Sequence, residues 1–202
     1  MQVLIACDSF KGSLSSTQAA EHIVHGIHKV YPDAVTTCVP VADGGEGTAR
    51  ILTGALAGQM LAVPVLGPLA DPLVAEIGLL PDGSAVMDMA SASGLTLVPE
   101  GRRDILSAST FGTGQLILAA LDRGVRQIYL GIGGSATNDG GIGMAQALGV
   151  RFLDKHGNDV CEASPYHTTK YPHSLLASLI GTFRLYSLSE QMSNRNLSRG
   201  GL

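Results

Sequence analysis

No basic run occurs in this chain. Its 13 Lys and Arg are scattered along 202 residues, against 17 Asp and Glu, for a formal net charge of −4. That balance argues against a nucleic-acid footprint, but leaves open an enzyme of small anionic metabolites, which needs only local positive charge. Cysteine is scarce. Cys7, Cys38 and Cys161 are odd in number and far apart, which excludes a disulfide framework and a CxxC metal knuckle and points to a reducing, cytoplasmic setting. No apolar stretch reaches the roughly 18 residues that span a bilayer, so no membrane partner is expected. The apolar run after Met1 ends at Asp8, too short and too uncharged at its start for a signal peptide. A G-x-x-x-x-G-K-[ST] stretch is also missing, so any nucleotide chemistry here does without a Walker A loop.

What the chain does have is a globular composition, 45% hydrophobic, with a β-loop-α rhythm. Strands are expected near residues 2–7, 35–40 and 127–132, each entering a polar loop and then a helix, as a parallel α/β layer requires. The first helix opens at Ser15-Ser-Thr17 with capping hydroxyls and an acidic first turn and ends before Tyr31-Pro32. Residues 58–88 change texture, with Pro64, Pro68, Pro72 and Pro81 and the turn Pro81-Asp-Gly-Ser84, which reads as hairpins of a subsidiary domain. A helix is expected over residues 107–122, stopped by Gly124. Beyond Asp154 the rhythm is lost. Residues 155–202 read as a poorly ordered tail that does not continue the fold, with only residues 174–180 able to form a short amphipathic turn.

Three loops carry the chemistry, each combining charge with glycine at a strand end: Asp8-Ser-Phe-Lys-Gly-Ser13, Asp43-Gly-Gly-Glu-Gly-Thr48 and Gly133-Gly-Ser-Ala-Thr-Asn-Asp-Gly-Gly141. Phosphoryl transfer is catalysed by positioning and charge neutralisation, so it wants a cation, a metal-holding carboxylate and backbone donors. Lys11, Asp43, Asn138 and Asp139 supply those types. On a shared carboxyl edge of one sheet, Asp8, Asp43 and Asp139 are expected to converge on a single cleft. Each loop also has a plainer reading: a turn cap at Asp8-Ser9, a tight turn at Asp43-Gly-Gly. His22, His25 and His28 rotate around their helix and make no three-ligand metal site. Ser91-Ala-Ser-Gly94 is not a nucleophile elbow. The competing reading is dinucleotide binding, because Gly131-Ile-Gly-Gly-Ser-Ala136 fits the loose G-x-G-x-x-A form and Asp154 follows at a suitable distance. Against it, Thr137 to Gly141 intervene before the next helix, and Asp139 would repel a pyrophosphate.

With those residues in view, the chain resembles the bacterial glycerate kinases built without a Walker motif. The matching stretches are residues 8–13, 40–48, Ala92-Ser-Gly-Leu-Thr-Leu-Val98, Thr110-Phe-Gly-Thr-Gly-Gln115 and 131–154, in order. The resemblance implies ATP- and Mg²⁺-dependent phosphorylation of D-glycerate in glyoxylate or aldarate catabolism. It also implies a flavodoxin-like (Rossmann-like) parallel layer into which a second α/β domain is inserted. Residues 1–57 would begin the first, residues 58–154 would form part of the second, and the fold would be incomplete at the C-terminus. On the family pattern, Lys11, Asp43 and Asp139 are the catalytic candidates, with Asp43 and Asp139 on Mg²⁺. Ser9, Ser13, Gly44, Gly45, Gly133, Gly134, Ser135, Thr137, Asn138 and Gly140 would bind substrate or phosphate. Family members are nearly twice as long, and the pattern lapses after Asp154, so a non-catalytic fragment of the family is the alternative expectation.

Overall fold

The computed structural model describes residues 1–159 and the backbone of a strand at Arg184–Ser187. Cys161 and the proposed turn at 174–180 lie outside the described residues. Two sheets carry the fold. The first is small and parallel: β1 (Gln2–Ile5) pairs with β2 (Val35–Cys38), Gln2 against Val35 and Ile5 against Cys38. Between them runs α1 (Ser16–Val30). Its N-terminus is closed by a capping box in which the Ser15 hydroxyl accepts from Gln18 N–H and the Gln18 side chain accepts from Ser15 N–H. The first turn holds no acidic residue; Glu21 lies one turn further on, so the cap rather than a carboxylate satisfies the helix start. Ser16 Oγ donates to Cys7 O at 2.6 Å, tying the helix to the end of β1.

The second sheet has the order β3-β4-β5-β6-β7, formed by Gln59–Leu66, Pro72–Leu79, Ala85–Asp88, Gln127–Gly131 and Arg184–Ser187. β3, β4 and β5 are antiparallel, the hairpins expected over residues 58–88, whereas β5, β6 and β7 run parallel. The shared carboxyl edge expected of the three loops puts β6 beside β1 and β2, whereas the family resemblance puts it, within residues 58–154, in the inserted domain. β6 pairs with β5, because α4 (Phe111–Leu121) makes the β5-to-β6 connection a βαβ crossover. β7 adds a strand within a segment whose sequence shows no alternation.

Strand alternation sorts the core of this sheet into two faces. Ala85, Met87, Ile128 and Leu130 face α4 and meet Leu116, Ile117 and Ala120 in the main cluster. Val86 and Tyr129 point the other way and pack with Ala49 and Leu52 of α2 (Thr48–Ala55). So α2, reached directly from β2, covers the second sheet. Its residue Thr53 sits against Gly78 of β4, where an added Cβ would come within 1.7 Å of Thr53 Oγ1. Two short helices complete the described chain, α3 (Ala90–Ser93) after β5 and α5 (Ile142–Ala147) after the Gly-rich loop. No helix among the described residues is long and apolar enough to cross a membrane.

Candidate functional site

A cleft of about 1030 Å³ opens between the two sheets. One wall is the loop after β1 and the start of α1, with Ser9, Lys11 and Ser13; the other is Glu46, Gly47 and α2, with Asp88 and Ser91 at the end of β5. Lys11 is held at the tip of a tight turn. Phe10 and Leu14 form an antiparallel bridge, Phe10 N donating to Leu14 O at 2.8 Å, and Gly12 takes φ +72° to close it. Among the described residues Lys11 makes no ion pair, so its ammonium is available to an anion in the cleft. Asp8 turns back on its own loop, accepting Ser9 N–H at 2.6 Å.

Asp88 is the functional-type residue that sequence reasoning passed over. It is 3% exposed and lies beneath the N-terminus of α2, Oδ2 accepting from Ala49 N at 3.1 Å and Oδ1 from Ser91 N at 3.0 Å. Burial pushes its carboxyl above the ordinary range, the two N–H bonds offset part of that, and the charge of Glu46 adds to the rise. Each oxygen takes one N–H and keeps further acceptor capacity. The available signal was a carboxylate ending the apolar strand Ala-Val-Met-Asp88, ahead of small residues.

The other two loops pack against each other. Gly133 N donates to Gly44 O at 2.9 Å. A Cβ on Gly131 would lie 2.4 Å from Gly44 O, and one on Gly133 would lie 2.9 Å from Gly45 Cα. Glycine at these positions thus serves a close backbone-to-backbone approach, which accounts for much of the richness that suggested a phosphate cradle. The same contact weighs against the dinucleotide reading, since Gly131 and Gly133 are spent on the 43–47 loop, and Asp154 caps its own turn through His156 N and Asn158 N. Further along, Ser135 Oγ accepts Thr137 N–H at 3.0 Å, Gly134 O accepts Leu95 N–H and Ser93 O accepts Ala136 N–H, so this stretch is docked on the chain following α3. Asn138 and Gly140 are exposed.

Asp139 is a double helix cap. At the start of α4 it accepts from Thr110 N at 2.8 Å and from the Thr110 hydroxyl; at the start of α5 it accepts from Gly141 N at 3.0 Å and Gly143 N at 3.1 Å. Thr110 Oγ1 in turn accepts Met144 N–H at 2.9 Å, so one carboxylate and one hydroxyl staple the two helices. Burial raises the Asp139 carboxyl, but the Thr110, Gly141 and Gly143 bonds outweigh it and leave it below the usual carboxylate range. A carboxylate so engaged does not fit the Mg²⁺ role expected of it. Asp43 uses Oδ1 to accept Gly45 N–H at 2.9 Å.

The structure therefore brings Ser9, Lys11 and Ser13 into the cleft, with Glu46, Arg50, Asp88 and Ser91 opposite. The cleft's lining contains none of Asp8, Asp43 and Asp139, and none of Gly44, Gly45, Gly133, Gly134, Ser135, Thr137, Asn138 and Gly140. Asp8, Asp43 and Asp139 thus do not share this cleft, although the loops that carry Asp43 and Asp139 pack against each other through Gly44 and Gly133.

Residues 3–174 match the family model described as the glycerate kinase family. The chain belongs to that family. It is 54% identical to a glycerate kinase of Halalkalibacterium halodurans over 159 residues, covering 78% of this chain and 42% of that protein. A glycerate 2-kinase of Escherichia coli is 48% identical over 161 residues, covering 79% and 42%. A crystal structure from Salmonella typhimurium LT2, provisionally named glycerate kinase 2, superposes with a TM-score of 0.61 at 51% identity, covering 79% of this chain and 43% of that one. The chain thus spans about two fifths of the length of the relatives it matches.

Proposed function

We propose that this chain carries the glycerate-kinase reaction: ATP-dependent phosphorylation of D-glycerate to a phosphoglycerate. The observation that supports it best is the cleft, where Lys11, outside every ion pair among the described residues, lies with the hydroxyls of Ser9 and Ser13 in one lining with the carboxylates of Glu46 and Asp88. Phosphoryl transfer asks for little else than charge neutralisation and alignment. Lys11 is assigned to the negative charge that builds on the moving phosphoryl group, and Ser9 and Ser13 to hydrogen bonds with substrate oxygens. Asp43 keeps the proton of the glycerate hydroxyl as its assignment on the family resemblance alone, since it lies outside the cleft's lining and only its loop neighbours Glu46 and Gly47 reach it. Gly44, Gly45 and the 133–140 loop act by fixing that loop, and Asp139 by positioning α4 and α5.

Glu46 and Asp88 are the carboxylates that line the cleft, and Mg²⁺ would be held there by them only together with substrate phosphates, since no cluster of three or more metal-ligating side chains occurs among the described residues. A hard cation takes such oxygens together with substrate phosphates, and supplies neutralisation of phosphate charge there. In the family layout, residues 1–57 open the flavodoxin-like layer and residues 58–154 belong to the inserted α/β domain.

The test is ADP release by the purified chain with ATP and Mg²⁺, with and without D-glycerate. D-glycerate-dependent release supports the reading. Binding of D-glycerate without release leaves a binding function alone, and neither binding nor release overturns the assignment.

A further inference from the structure

The geometry points to Phe10 as the platform on which the base of the nucleotide stacks, an inference that rests on the ATP-dependent reading of the cleft. The chain is poor in aromatics, with four Phe, five Tyr and no Trp, and aromatic rings are large apolar groups that a fold normally buries. Phe111 follows that rule at 3% exposed, whereas Phe10 is 58% exposed. It is the one aromatic among the described residues that line the cleft. Its backbone is fixed there: Phe10 N donates to Leu14 O at 2.8 Å, and Phe10 O accepts from Ser13 N at 2.8 Å and from Leu14 N at 3.1 Å. The capping box at Ser15 and the bond from Ser16 Oγ to Cys7 O close the same loop from behind. The ring is thus presented to the cleft from a rigid turn, with only two side-chain torsions left to restrict on binding.

The occupant follows by elimination among the groups that the proposed reaction brings together. D-glycerate is a short acid carrying a carboxylate and hydroxyls, and it offers no face to an aromatic ring; its oxygens, like the phosphates, suit Lys11, Ser9 and Ser13. The adenine is the one component with a π-face, and base–aromatic stacking needs no particular hydrogen-bond pattern. The cleft has a matching division. Besides its charged residues Lys11, Glu46 and Asp88 it has apolar surface from Val39, Met60, Val74 and Leu97, and at about 1030 Å³ it has room for a nucleotide beside a small acid. Phe10 and Lys11 are neighbours on one turn, so the base and the polyphosphate of one molecule are addressed from the same rigid element.

The experiment is calorimetric titration of the full chain, in Mg²⁺, with ATP and with inorganic tripolyphosphate, which carries the phosphates without a base. Phe10→Ala is expected to raise the Kd for ATP by about tenfold, the contribution of one base–aromatic stack, and to leave the Kd for tripolyphosphate unchanged. Phe10→Leu, which keeps apolar bulk without a π-system, should recover only part of the loss, and Phe10→Tyr nearly all of it. In proton spectra of the ATP complex, the adenine H2 and H8 resonances should lie upfield under the ring current in the wild type and lose that shift in Phe10→Leu. Equal losses for ATP and tripolyphosphate, an ATP affinity indifferent to both Phe10→Ala and Phe10→Leu, or a wild type that binds neither ligand overturns the proposal. The kinase reading fails separately. A chain that releases no ADP with D-glycerate, yet binds ATP tenfold more weakly as Phe10→Ala, loses that reading and keeps the platform; D-glycerate-dependent release with unaltered ATP affinity in Phe10→Ala does the reverse.

Discussion

Replacing Asp139 by Ala would remove the carboxylate that caps two helices at once. Thr110 N at the start of α4 and Gly141 N and Gly143 N at the start of α5 would all lose their acceptor, and the Thr110 hydroxyl would lose the partner it donates to. A lost cap costs about 1 kcal/mol per helix, and bonds to an ionised acceptor are worth more, about 1.5–3 kcal/mol. With two helix starts affected, the expected destabilisation is about 2–4 kcal/mol. For a domain of this size that lowers Tm by roughly 5–15 °C. Asp139→Asn would fare little better, because its NH₂ group would face N–H donors from one helix or the other. The pH dependence has a definite sign. The folded carboxyl lies below its ordinary value, so its contribution is present above the usual carboxylate range near pH 4 and is lost as pH falls through the folded value. Melting curves followed by circular dichroism from about pH 7 to pH 3 check both points. An Asp139→Ala variant that melts with the wild type, or whose acid limb stays as steep, would refute the staple.

Two further substitutions probe the packing around the cleft. Gly131→Ala puts a Cβ at 2.4 Å from Gly44 O and should cost about 1–3 kcal/mol by forcing the 43–47 loop off the end of β6; an unchanged denaturant midpoint would contradict the contact. Thr53→Val removes a hydroxyl that is buried without a hydrogen-bond partner while keeping its shape, and should leave stability equal or raise it by about 1 kcal/mol; a lower Tm would show that the hydroxyl is satisfied.

Much of the fold was legible because local signals agreed with one another. The hydroxyls at Ser15-Ser-Thr17, the turn at Pro81-Asp-Gly-Ser84 and the stop at Gly124, which takes φ +80°, each state a boundary in side-chain chemistry, although the partner in the Ser15 cap proved to be Gln18 and not an acidic residue. The pairing of β6 was not legible, since an apolar run with a Gly-rich loop looks the same in either sheet; only the crossover through α4 decides. The site followed the same division. The placing of Ser9, Lys11 and Ser13 on the cleft follows from their loop, which closes the end of β1 ahead of α1. The capping by Asp139 was not legible because a carboxylate among glycines suits a metal and suits a helix cap equally, and one of the helix starts it serves, at Thr110, is distant in sequence. Asp88 went unnoticed because its short strand advertises burial, and burial is what displaces its carboxyl.

The most direct test of the central claim is the rate of D-glycerate-dependent ADP release by the purified chain, measured for the wild type and for Lys11→Ala. Lys11 is exposed and outside every ion pair among the described residues, so its removal should leave Tm within about 1 °C, as for other surface substitutions. The account predicts release that depends on D-glycerate in the wild type and falls by about 100-fold or more in Lys11→Ala, as loss of transition-state charge stabilisation requires. ADP release that ignores D-glycerate, or that survives the loss of Lys11 in a folded protein, would contradict it.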